Sequence, residues 1–280
     1  MDTEGTITRG LRTVDTPQSA DVWASGDAYE PYVGRWSRAV ARQFLAWLGM
    51  PPGGRWLEVG CGTGALSETI LGITLPSEVV GIDPSADYIT YARSHVLDPR
   101  AHFDVGDARA LPFAVGAFDG VVSGLVLNFV PDPAAAVAEM ARVARPGGTV
   151  ATYVWDYSGG MELMRRFWDA AVALDPAARD LDEGRRFGAI CRPEILASLF
   201  RGVGLRRVET CAVDVPTLFR DFDDYWTPFL GGQGPAPGYA VALSEDRRDA
   251  LRDRIRADLP ISDDGSIPLV ARAWAVRGER

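Results

Sequence analysis

Residues 55–64 read Arg55-Trp56-Leu57-Glu58-Val59-Gly60-Cys61-Gly62-Thr63-Gly64. The first five have the length and apolar character of a buried strand, which Gly60 interrupts. Glycines at 60, 62 and 64 let the chain turn tightly and let a ligand approach the backbone with no Cβ in the way. A helical stretch follows from about Ala65. Strand, glycine turn and helix open a βαβ unit, although a lone GxGxG also occurs in plain tight turns and in many nucleotide folds.

The rhythm then repeats. Glu78 to Ile82 is a second short strand, ending at Asp83, and a helix runs from Ala86 to His95. Ala101 to Val105 is a third strand before Gly106-Asp107, and Phe118 to Leu125 a fourth. A helix from Pro133 to Val143 leads through Arg145-Pro146-Gly147-Gly148 into a fifth strand, Thr149 to Val154. Apolar strands alternating with helices imply a mostly parallel sheet, and continuous rather than alternating apolar strands imply cover on both faces. Upstream, Trp36, Val40, Phe44 and Leu48 recur every fourth residue and predict a helix over 35–48, stopped by Pro51 and Pro52. Downstream, helices are expected over 160–174 and 193–199 and strands over 205–215 and 270–276. Those last two strands are able to pair antiparallel at the sheet edge. Between them lie Tyr225, Trp226 and Phe229, the flexible-looking run GGQGPAPG, and a helix from about Ser244.

Three acids mark the carboxyl ends of successive strands: Glu58, Asp83 and Asp107. Open α/β sheets bind ligands at those ends. A carboxylate at Glu58 would repel a pyrophosphate but suits a cationic ligand. Asp83 is placed either to accept two ribose hydroxyls or to cap the next helix, a task Ser85 also suits. Asp107 either accepts from an adenine amine, with the Ala108 N–H beside it, or bonds its own backbone. A nicotinamide dinucleotide oxidoreductase is the main rival, because Gly60-x-Gly62-x-x-Ala65 also satisfies GxGxxA; Glu58 and the Gly106-Asp107 step speak against it.

These residues carry a resemblance. The run LEVGCGTG from Leu57 to Gly64, with GIDPS around Asp83 and GDARALPF around Asp107, resembles the class I S-adenosylmethionine-dependent methyltransferases. The similarity is to the type 11, ubiquinone/menaquinone C-methyltransferase-like group, and it extends over about residues 30–155. It implies a Rossmann-like three-layer α/β sandwich with a seven-stranded, mostly parallel sheet whose last strand is antiparallel. An N-terminal helical cap and a lid insertion between strands 6 and 7 would complete it. The implied cofactor is S-adenosyl-L-methionine, with S-adenosyl-L-homocysteine as product. Gly60, Cys61 and Gly62 would surround its methionine portion near Glu58, and Asp83 would take the ribose. Pro84, Asp107 and Ala108 would meet the adenine, and Leu125 would offer backbone to the ammonium. Tyr32 and Arg35 would approach the methionine end. A protein that binds the cofactor without chemistry, as a sensor or scaffold, is the other alternative.

The domain reading is a flexible arm at 1–20 and one domain at 21–280, with a cap at 21–50 and the lid at 216–266. The catalytic group stays open, with Tyr32, Asn128, Asp156 and Tyr157 as candidates. Asn128 either orients a substrate or caps the next segment. Trp155, Asp156 and Tyr157, with Tyr225, Trp226 and Phe229, suit either an aromatic or hydrophobic small-molecule acceptor or internal packing. His95 and His102 are poorly placed for base or metal chemistry, and Cys61, Cys191 and Cys211 lack ligand spacing. No metal is expected. A net charge of -9 and the lack of a Lys/Arg block argue against nucleic acid. No leader-like segment and no apolar run of about eighteen residues is present, so a cytoplasmic protein without a membrane span is expected. Oligomeric state has no signature in the sequence.

Overall fold

The computed structural model describes residues 34–280 apart from Gln233. The arm at residues 1–20 and the first part of the cap, with Tyr32, lie outside the described residues. Helix α1 (Arg35–Leu48) buries Val40, Ala41, Phe44, Leu45 and Leu48 along one face. It stops at Gly49, whose left-handed backbone (φ 59) lets its N–H close on the Leu45 carbonyl at 3.2 Å.

The sheet comprises β1 (Arg55–Val59), β2 (Glu78–Asp83), β3 (Ala101–Val105), β4 (Phe118–Gly124), β5 (Ala144–Trp155), β6 (Arg206–Phe219) and β7 (Ile267–Glu279). Their spatial order is β3-β2-β1-β4-β5-β7-β6. The first five are parallel, and β7 runs antiparallel to both β5 and β6. The single antiparallel strand is therefore the last one, but it lies inside the sheet, and β6 forms the edge. Helices α2 (Ala65–Ile73), α3 (Ala86–His95) and α4 (Pro133–Val143) follow β1, β2 and β4. The strand order reverses between β1 and β4, and the carboxyl ends diverge there into a crevice.

The last two strands outrun the expected 205–215 and 270–276. Pairing continues from Cys211↔Ala275 to Phe219↔Ile267 through residues that alternate buried and exposed, a pattern a search for continuous apolar runs passes over. Pro216 is tolerated because β6 is an edge strand. The insertion accordingly shortens from 216–266 to 220–266.

After β5 come α5 (Glu162–Leu174), the single-turn α6 (Glu183–Arg186) and α7 (Pro193–Gly202). The insertion folds as α8 (Phe222–Trp226), α9 (Pro235–Ala242) and α10 (Glu245–Asp258). The run read as flexible thus enters a helix, with Pro235 at a first-turn position where its missing N–H is no loss. Both α9 and α10 pack on α5. Phe229 stacks on Phe167 with centroids 4.5 Å apart, and the buried Tyr225 hydroxyl donates to the Leu163 carbonyl at 2.9 Å. No described helix is long and apolar enough to cross a membrane.

Candidate active site

A cavity of about 470 Å³ opens at the carboxyl ends of β1, β2, β4 and β5. Its first wall is the turn after β1. Gly60 and Cys61 donate their N–H groups to the Ile82 carbonyl at 2.7 and 3.0 Å, which ties the turn to β2. At Gly60 the backbone is left-handed (φ 77), and an added Cβ would lie 2.5 Å from a Val126 methyl. Only glycine fits there.

Asp83 is 7% exposed. Its Oδ2 accepts from the Gly62 N–H at 3.0 Å and its Oδ1 from the Ser85 N–H at 2.9 Å. Capping of α3 falls to Ser85, which accepts from the Tyr88 N–H at 3.3 Å. The carboxylate is thereby pinned by backbone donors, with lone pairs left on both oxygens for ligand hydroxyls. Burial raises its pKa, against those two hydrogen bonds. Burial likewise raises the Cys61 thiol well above its ordinary value, with Glu58 and Asp83 nearby adding to the effect, so Cys61 lines the cavity as a neutral thiol.

Glu58 is 2% exposed and accepts from the Ser67 hydroxyl. Burial pushes its pKa up to about 8, against the Ser67 hydrogen bonds. Without a counter-charge the group is therefore neutral at physiological pH. A second buried acid, Glu183, opens α6; burial pushes it up to about 7, although the Trp168 indole N–H donates to it. Both values lie above the ordinary 4.5 of a glutamate. Between that value and the folded pKa the native state holds the proton more tightly than the unfolded chain. Stability of the ligand-free protein is thus expected to fall as pH rises from about 5 to about 8. Thermal melts across that range check this, and Glu183→Gln is expected to roughly halve the slope below about pH 7 and leave the part above it, which belongs to Glu58; a melting temperature that rises over the range contradicts it.

Asp107 is exposed and held by its neighbour. It accepts from the Arg109 N–H at 2.8 Å and from the Arg109 guanidinium at 2.6 Å, and these bonds hold its pKa down to about 2. It lines the cavity with Ala108 and Arg109. Both readings of Asp107 coexist: it bonds its own turn and faces the cavity. Leu125, at the end of β4, lines the cavity with a left-handed backbone (φ 62), rare for a branched residue and a sign of a constrained turn. Pro84 also lines it.

The far half is apolar. Tyr153, Trp155 and Tyr157 alternate along and just past β5 and face the cavity, with Phe129, Val130 and Met164 around them. Asp156 points the other way: its Oδ2 accepts from the Gly160 N–H at 2.9 Å, closing the turn into α5, so it leaves the set of catalytic candidates. Asn128 is buried outside the lining, with neither amide atom hydrogen-bonded among the described residues. Arg35 is also outside. Its guanidinium pairs with Asp224 at 3.1 Å and lies against Trp36 and Phe219, joining α1 to the insertion rather than reaching the cavity. Tyr225, Trp226 and Phe229 do not line the cavity either, so the insertion buttresses α5. Ser37, Leu66, Tyr88 and Met164 line it without any motif to announce them, because helices are read for their buried stripe and not for one residue facing a crevice.

The methyltransferase domain family matches residues 57–152, which contain the glycine turn and the three acids. A 2-methyl-6-phytyl-1,4-hydroquinone methyltransferase from Synechocystis is 32% identical over 188 residues, 66% of this chain and 57% of that protein. A ubiquinone biosynthesis O-methyltransferase from Burkholderia thailandensis is 30% identical over 61% of this chain and 72% of that protein.

The chain belongs to the class I S-adenosylmethionine-dependent methyltransferases.

The match spans little more than half the length of the first of these relatives. The fold of this methyltransferase-family chain is also that of the YcgJ protein of Bacillus subtilis, with a TM-score of 0.57 at 17% identity over 86% of this chain and 98% of that one. The cavity suits the family's cofactor. A cradle that a Cβ would fill, two buried carboxyls and a strand-end crevice accept an adenosyl group bearing cations. Among the described lining residues the only cation is Arg109, already paired with Asp107, so a dinucleotide's pyrophosphate would find no free counter-charge.

Proposed function

We propose that this protein is an S-adenosylmethionine-dependent methyltransferase acting on a small, neutral acceptor with an aromatic or otherwise apolar body. The observation that carries the reading is the composition of one cavity: buried Glu58 and Asp83 at one end, and Tyr153, Trp155, Tyr157 and Phe129 at the other. In it Asp83 holds the ribose, Ala108 and Pro84 flank the adenine, the Gly60–Gly62 turn follows the methionine chain, and Leu125 offers its backbone to the ammonium. Bound S-adenosylmethionine supplies a methyl group on an already electrophilic sulfonium. The chain's own work is then to place the acceptor in line and to exclude water. The aromatic wall does both. Of the catalytic candidates, Tyr157 alone lies on the cavity among the described residues, and its ring orients the acceptor.

Glu58 gives a testable pH dependence. Its carboxyl is neutral below about pH 8 in the free protein, whereas a bound cation favours the carboxylate. Binding then releases a proton, and affinity for S-adenosylmethionine is expected to rise up to about tenfold per pH unit between about pH 6 and about pH 7.5. Glu58→Gln is expected to abolish the slope. Calorimetric titrations at several pH values measure it, and a flat wild-type profile would show that Glu58 stays neutral in the complex.

The activity itself is tested by incubating the protein with S-adenosylmethionine and a panel of phenols, hydroquinones and apolar amines, reading S-adenosylhomocysteine release. Acceptor-dependent release is expected. Cofactor binding with no release from any neutral ring acceptor, but release with phosphorylated or carboxylated ones, overturns the acceptor class.

A further inference from the structure

Phe129 and Tyr157 line the acceptor half of the cavity. A third ring, Phe187, stands behind both, edge-on to Phe129 at 5.1 Å and tilted to Tyr157 at 5.8 Å. It follows α6, a single helical turn with little stability of its own. Yet α6 is held by a largely buried ion pair. Asp182 caps it by accepting from the Gly184 N–H at 2.8 Å. The same carboxylate takes the Arg165 guanidinium on both oxygens, at 3.1 and 2.8 Å. Arg165 also donates to the Tyr157 carbonyl at 3.3 Å, so one guanidinium ties the cavity wall to the segment behind it. The fit between them is close: a Cβ at Gly184 would lie 2.7 Å from the Tyr157 carbonyl oxygen. Buried ion pairs contribute little net stability and are best explained by the geometry they fix.

We infer that Phe187 is the end wall of the acceptor subsite and limits the length of the apolar substituent the acceptor carries, with Arg165 and Asp182 as the positioning residues that hold it. This rests on the neutral, apolar acceptor proposed above. Phe129 and Tyr157 are the surface the substituent touches; Phe187 sets how far they can retreat.

The probe is a series of 4-alkylphenols of increasing chain length, titrated by calorimetry into the protein saturated with S-adenosylhomocysteine. For the wild type, affinity is expected to climb about fourfold per methylene, the equivalent of about 0.8 kcal/mol, and then to stop abruptly. Phe187→Ala is expected to move that limit to chains longer by about two methylenes, with S-adenosylhomocysteine affinity unchanged. Phe187→Leu, which keeps more of the packing, moves it less and serves if the alanine variant does not fold. The same limit in both variants and the wild type overturns the wall assignment. A uniform loss of affinity at every chain length also overturns it, marking Phe187 as structural only. No phenol binding by a wild type that holds S-adenosylhomocysteine overturns the apolar-acceptor reading, and the wall with it.

Discussion

Asp83→Ala is expected to weaken S-adenosylmethionine binding by roughly 5- to 150-fold, the equivalent of about 1–3 kcal/mol for lost charge-assisted hydrogen bonds. The structure moves the expectation toward the upper end. Asp83 accepts from the Gly62 and Ser85 N–H groups, so alanine would remove the proposed ligand acceptors and also free the Gly60–Gly62 turn proposed to follow the methionine chain. Asp83→Asn keeps one acceptor oxygen and the shape, and is expected to lose less. Calorimetric titration of both variants with S-adenosylmethionine separates the contributions. Equal and small losses would mean that Asp83 does no more than tie the turn to β2.

Gly60→Ala is expected to destabilise the fold and abolish cofactor binding. A left-handed alanine costs about 1–2 kcal/mol. The new methyl would also lie 2.5–2.9 Å from three side-chain atoms of Val126. Overpacking of that kind adds about 1–3 kcal/mol, and Val126 sits on the turn after β4, so relief by backbone movement would displace Leu125. The two causes separate in a double variant: Val126→Ala removes the clash and leaves the strained φ, so Gly60→Ala/Val126→Ala is expected to recover about half the lost stability. Denaturant melts measure it. A Gly60→Ala protein as stable as wild type would contradict the packing described around the turn.

The parallel half of the fold is legible because its inner strands are buried on both faces; Trp56 to Val59 and Val79 to Ile82 are covered throughout, whereas in the edge strand β3 only Phe103 is buried. The β6–β7 ladder is less legible because only alternate residues are buried, and its continuation past Val215 depends on a partner strand distant in sequence. The glycine turn and the strand-end acids could be anticipated for the same local reason: turn chemistry and strand ends are properties of a few consecutive residues. The acceptor half is legible only in part: Trp155 and Tyr157 are candidates by composition, but the residues that join them are not. Tyr153, Trp155 and Tyr157 share the cavity with Met164 on α5 and Ser37 on α1, an assembly made by tertiary packing. The aromatic residues of the insertion show the same limit from the other side. Tyr225, Trp226 and Phe229 suit an acceptor by composition, and in the structure Tyr225 and Phe229 cover α5 while Trp226 packs on Phe222 and Phe229. Arg35 is comparable: its charge is consumed by Asp224, a residue of the insertion far along the chain.

The central claim is that Glu58, the Gly60–Gly62 turn and Asp83 form a site for a cation-bearing adenosyl ligand. Calorimetric titration of the protein with S-adenosylmethionine and, separately, with reduced nicotinamide adenine dinucleotide tests it most directly. The account predicts saturable micromolar binding of S-adenosylmethionine to one site and no binding of the dinucleotide. Dinucleotide binding, or no uptake of S-adenosylmethionine at millimolar concentration, would contradict it.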